Sequence, residues 1–131
     1  MANNEHDIKT YPLIDKKSIA ASGSFTSDII NLEDIKAEGN ITIQVEVTGT
    51  GTATIEFEQS NSFNTTDLTG DFVKPSSGSS IVTGFTVTSG SGSNGKDLFN
   101  VPAFNSKVLR MVITETGTAN AIIVSMWVSI Q

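Results

Sequence analysis

Cysteine is absent. Disulfides, thiolate nucleophiles and thiolate metal ligands go with it, and the composition fits synthesis in a reducing cytosol. There is a single histidine, His6. One imidazole with no thiolate leaves zinc without a ligand set, and a Ser-His-acid triad would have to be built on a terminal residue. Charged side chains make up only 17% of the chain, and Lys plus Arg number 8 against 14 Asp plus Glu. A net charge of −6 without a basic cluster argues against nucleic acid as a partner, because phosphate neutralisation supplies most of that affinity. No apolar run approaches the roughly 20 residues of a membrane helix. The N-terminal residues show neither the basic start nor the apolar stretch of a secretory leader. The sequons at Asn40-Ile41-Thr42 and Asn64-Thr65-Thr66 are then read as chance matches in a Thr-rich chain.

Serine, threonine, glycine and asparagine stand where charge is missing, and between them apolar residues recur at every second position. Ile41, Ile43, Val45 and Val47 form one row, and Ala53, Ile55 and Phe57 another, separated by Gly49-Thr-Gly-Thr52. This pattern predicts two strands over 40–48 and 52–59 joined as a hairpin, with Gln44, Glu46, Glu56 and Glu58 on the solvated side. Further strands are expected over 24–32, with a bulge where the phase slips between Phe25 and Ile30, and over 81–88 and 97–101. Residues 107–116 carry apolar side chains on both faces, as a central strand does, and 119–131 complete the set after a hairpin turn at 115–119. A short helical turn or irregular corner is expected over 31–39. Phe63, Leu68, Phe72 and Val73 should anchor the turn-rich connection 60–79 over an open edge of the core, and 89–95 should be an exposed, mobile loop.

A single domain fits 131 residues. The expected architecture is all-β: an antiparallel β-sandwich of about 7–8 strands, jelly-roll or immunoglobulin-like, over residues 21–131. An extended N-terminal arm occupies residues 1–20. Residues 1–20 can be a frayed terminus or an arm in which Tyr11, Pro12, Leu13 and Ile14 dock on the domain itself or on a neighbour. Residues 1–71 hold 12 acidic and 4 basic side chains (−8), and residues 72–131 hold 2 and 4 (+2). That asymmetry could steer the acidic half toward a basic partner, although a solvated face explains it too.

Catalytic constellations are sparse. Glu46, Glu56 and Glu58 could lie side by side on adjacent strands, yet Thr and Gln neighbours describe a solvated face. Asp67, Asp71 and Asp97 lack the spacing of a calcium loop. Gly90-Ser-Gly-Ser93 lacks the lysine and helix of a phosphate loop. No cofactor and no enzymatic activity are expected. Trp127 alternates out of phase with Val124, Met126 and Val128, so it is either a second-face core residue or an interface marker. Arg110, central in its strand, is either a salt-bridge partner or a subunit contact.

The stretches from Ser22 to Asn61 and from Lys107 to Gln131 resemble the small β-sandwich proteins of tailed-phage virions. The matching motifs are the S-x-x-I-x-L strand around Asp28–Leu32, the alternating strand Ile41–Val47 and the G-T-x-x hairpin Gly51–Phe57. The Ser60-Asn61 turn, the Φ-R-Φ-x-Φ-T strand Leu109–Thr114 and the G-T-A turn Gly117–Ala119 complete them. Ser62-Phe63-Asn64-Thr65-Thr66 departs from the family's D-G-x-x-W continuation. The resemblance implies a capsid decoration protein that binds and stabilises the particle surface, without catalysis. Its partner would be the major capsid protein or another virion protein. It would be a homo-oligomer, with a trimer favoured, located in the virion after assembly in the host cytoplasm. The alternative is a tail- or fibre-associated module binding carbohydrate or host, which would expose aromatics such as Phe63 and Phe99.

Overall fold

Nine strands form among the described residues: β1 (Lys9–Ile19), β2 (Ser24–Thr26), β3 (Ile30–Asn31), β4 (Ile41–Gly49), β5 (Ala53–Ser60), β6 (Ser80–Phe85), β7 (Lys96–Asn100), β8 (Val108–Glu115) and β9 (Ile122–Ile130). The computed structural model describes residues 9–32, 41–103 and 106–130. His6, residues 33–39 of the turn expected over 31–39, and Phe104 lie outside them. Two antiparallel sheets form, with orders β1-β9-β4-β7 and β2-β8-β5-β6, and β3 pairs with β8 beyond β2. With β2 and β3 taken as one interrupted edge strand, this is the jelly-roll order. An immunoglobulin-like sandwich would place the first strand beside the second; here β1 neighbours β9 and β2 neighbours β8.

The sandwich closes on alternating inward rows. Ile43, Val45, Ile55, Phe57, Met111, Ile113, Val124 and Met126 are all fully buried in one cluster between the sheets. Ile14 and Ile19 of β1 belong to it too. The described part of the expected arm is therefore a sheet strand, paired with β9 from Lys9↔Ile130 to Ile19↔Ile122. Its Tyr-Pro-Leu-Ile segment docks on its own domain. A bulge interrupts the pairing between Ile14 and Lys17, where Lys16 has φ 46° and its N–H donates to the Ser125 hydroxyl at 3.0 Å.

Two expected hairpins are corrected. β4 lies in one sheet and β5 in the other, and so do β9 and β8. The connections 50–52 and 116–121 are arches between sheets. Period-two burial cannot tell these apart, because two inward apolar rows can share one sheet face or oppose each other across the core. The arches pack together closely: a Cβ on Gly51 would lie 2.5 Å from the Asn120 carbonyl oxygen, so only glycine fits there. Glu46 therefore stands on the opposite side of the molecule from Glu56 and Glu58. Among consecutive strands of the described residues, only β5 and β6 pair with each other.

The bulge expected near Phe25 is a break built on one side chain. The Ser27 N–H donates to the Met111 carbonyl at 2.8 Å, and the Ser27 hydroxyl accepts the Met111 N–H at 2.9 Å. The hydroxyl thus replaces a backbone carbonyl in the ladder and lets the chain bend between β2 and β3. The 60–79 connection also differs from expectation. Phe63 is buried and Phe72 half-buried, but Leu68 and Val73 are 69% and 60% exposed. Phe72 covers the outer face of the β5–β8 sheet, not an edge of the core. The 89–95 loop is exposed at 91–94, and Gly95 fixes it to the sheet by accepting the Val47 N–H at 2.8 Å.

Candidate functional site

Three surfaces bring the sequence-derived candidates into place. The first is a cleft of about 320 Å³ at the edge where β1 and β3 leave the sandwich open. Tyr11, Pro12 and Leu13 line one side with Val128, and Asp28, Ile29, Ile30 and Asn31 line the other. Leu13 is half-buried against the core, Tyr11 is 40% exposed, and Ile14 is 5% exposed and belongs to the core. Three of the four arm residues thus reach this rim and the fourth does not. Asp28 is the one charged side chain of the lining. Beyond the cleft the same edge is closed by Lys17, whose ammonium sits 5.1 Å from the centre of the Phe25 ring.

The second surface holds Arg110. Its Nε donates to Glu58 Oε1 at 2.8 Å and its Nη2 lies 2.7 Å from the same oxygen. The guanidinium carbon is 3.8 Å from the Phe72 ring centre, and Phe72 packs on Phe63 at 5.1 Å. A planar cation held between a carboxylate and an aromatic face is a bonding arrangement lysine could not reproduce. The charge of Arg110 is engaged within the chain, and the cluster fastens the 60–79 connection to the sheet. Phe63 and Phe99, the rings expected on a sugar platform, are packing residues: Phe63 is 6% exposed, and Phe99 meets Phe85 edge-on at 5.9 Å.

Trp127 lies on the outer face of the other sheet, half-buried. Pro12 is its partner on β1 and Gln44 its partner on β4, and Gln44 in turn faces Leu98 on β7. Beside Gln44 and Leu98 the 91–94 turn forms an open cleft of about 350 Å³, with Ser91, Asn94, Lys96 and Asp97 among its lining.

Sequence reasoning missed Glu115. It continues the inward row of Leu109, Met111 and Ile113 and is 1% exposed, a buried carboxylate at the end of a core strand. Four backbone N–H groups surround it. Ser22 and Thr118 donate to Oε1 at 2.8 and 2.9 Å, and Thr52 and Gly117 to Oε2 at 2.9 and 2.7 Å. The Ser22 N–H foremost, then those of Thr52, Thr118 and Gly117, hold its pKa at about 2 against an ordinary 4.5, with burial pulling the other way. Glu115 is a clasp joining the β1–β2, β4–β5 and β8–β9 arches. Its signal was its parity: an acid in an apolar row directly before a glycine turn. Among the described residues no group of three or more His, Cys, Asp or Glu side chains comes together as a metal site would require.

No family model and no curated protein sequence matches this chain. Solved structures do. The infectious bursal disease virus VP2 subviral particle is similar over 95% of this chain and 32% of that one, at 13% identity and TM-score 0.53. PliG of Aeromonas hydrophila, a periplasmic lysozyme inhibitor of g-type lysozyme, matches over 95% and 86% at 15% identity and TM-score 0.45. The SPBc2 prophage-derived protein YomS matches over 94% and 93% at 10% identity and TM-score 0.36. This chain spans about a third of the VP2 chain. At these identities the likeness is one of fold: an antiparallel β-sandwich module.

Proposed function

We propose that this chain is a structural protein of a tailed-phage virion, a decoration protein that binds the assembled capsid through its β1–β3 edge. The observation that carries the reading is the cleft at that edge, where Tyr11, Pro12 and Leu13 meet Ile29 and Ile30. It is a mostly apolar opening between the edges of the two sheets. Its occupant is an apolar segment of the capsid protein flanked by a basic side chain, which Asp28 and the net −8 of residues 1–71 favour electrostatically. Support also comes from the virion-protein motifs of the strands and from the fold shared with the VP2 subviral particle. Weak single contacts of this kind gain strength when a homo-oligomer, trimeric by the resemblance, meets a repeating lattice. The work is binding, with no reaction catalysed. The test combines Tyr11→Ala with Asp28→Lys, two exposed positions outside the core, and follows co-sedimentation with phage particles. Mass photometry reads the oligomeric state alongside. Loss of particle binding with an unchanged melting temperature is expected; undiminished binding would remove this edge from the account.

A further inference from the structure

We infer that the outer face of the β1-β9-β4-β7 sheet, at its β4–β7 end, is a binding site for a neutral saccharide. The cleft lies at the β7 edge of that sheet and the proposed capsid-docking cleft at the opposite, β1 edge, and the two approach each other only at Trp127, the strand partner of Pro12. The inference does not rest on the virion reading.

Three observations converge. The first is a cleft of about 350 Å³, at the lower end of the sizes that small-ligand sites take, open to solvent beneath the 91–94 turn. The second is its unspent hydrogen-bonding capacity. The exposed Gln44 amide has no hydrogen bond among the described residues. Asn94 uses only Oδ1, to accept the Lys96 N–H at 3.3 Å, which leaves its amide N–H groups free. Asp97 accepts the Leu98 N–H through Oδ1 at 2.8 Å and keeps Oδ2 unpaired. Side-chain amides and a carboxylate offer the paired donors and acceptors that vicinal hydroxyls require. The third is apolar surface set beside them in line. Trp127, Gln44 and Leu98 are direct neighbours on three adjacent strands, and strands lie about 4.8 Å apart. A sugar ring over the indole face would place the next one above Gln44 and the cleft. Leu98, 62% exposed, then meets its carbon-bound hydrogens.

Charge selects the class. Lys96 lies 3.9 Å from Glu46, so the ammonium has a carboxylate near it, and Asp97 is the remaining charge of the lining. An anionic polymer would find no surplus cation here, whereas a neutral polyol needs none.

Trp127 is the chain's one tryptophan, so its emission reports this face alone. The experiment titrates the full chain with cello-, xylo-, malto- and mannohexaose while following that emission. A saturable change with at least one of the four is expected, weakened about fivefold or more by Gln44→Ala, the value of about one hydrogen bond. Tyr11→Ala should leave it unaltered. No change with any of the four, or a change that survives Gln44→Ala undiminished, would overturn the inference. Loss of sugar binding and loss of particle binding thus follow from different substitutions.

Discussion

Glu115 shows how much one side chain settles here. A carboxylate in the core is costly unless its lone pairs are met, and four backbone N–H groups from three arches meet them. Its pKa is lower in the folded chain than in the unfolded one, so the ionised form is the one that folding favours. The contribution is present above about 4.5 and is lost as pH falls through about 2. On this account denaturation midpoints of the wild type should hold level from pH 7 to about 4.5 and fall from there toward pH 2. Glu115→Gln should be less stable at pH 7 and show a shallower decline. Arg110 gives a second residue-scale test. Its pair with Glu58 is partly exposed, at 30% and 17%, so the ion pair is worth little more than about 0.5–1 kcal/mol, with a comparable amount from the Phe72 ring. Arg110→Ala should cost about 1–2 kcal/mol in urea denaturation, and Arg110→Lys should recover only part of it. The acid was visible in the sequence, but its partners come from segments as much as 93 residues away, which no local pattern brings together.

At the scale of elements, most strands were legible, β1 was read as an arm, and the partition between sheets was not legible. Alternation located β4, β5 and β8 within one residue and β9 within three, because each carries an inward row of apolar side chains. Gly49-Thr-Gly-Thr52 looks the same whether it reverses a hairpin or arches over the core. What makes it an arch is the close packing of Gly51 on the backbone of Asn120 and Ala121, a contact between distant segments. The β2–β3 break was foreshadowed by the phase slip after Phe25, though the agent, Ser27, was not. Ser27→Ala should leave the Met111 N–H buried without its acceptor and cost about 1–3 kcal/mol in equilibrium unfolding. A loss well below that would mean the edge re-forms around the missing hydroxyl.

For the whole molecule, the candidate surfaces were partly legible. Tyr11, Pro12 and Leu13 were singled out as a group and stand together at the open edge, while Ile14 completes the core. The other wall of that cleft, Ile29 to Asn31, comes from the opposite sheet, and only the jelly-roll order places it there. Trp127 was recognised as an unusual second-face residue; its neighbours Gln44 and Leu98 emerge from strand register alone. Among the described residues the molecule combines a buried core, an apolar cleft at the β1–β3 edge and an outer cleft beside β7.

Docking through the apolar edge is the central claim, and co-sedimentation of the purified chain with tailed-phage particles from lysates of the cells that encode it tests that claim most directly. The account predicts that the wild-type chain pellets with the particles at a saturating, fixed ratio and that the Tyr11→Ala, Asp28→Lys variant stays in the supernatant while melting at the same temperature. A wild-type chain that remains soluble beside those particles, or a variant that pellets equally well, would contradict it.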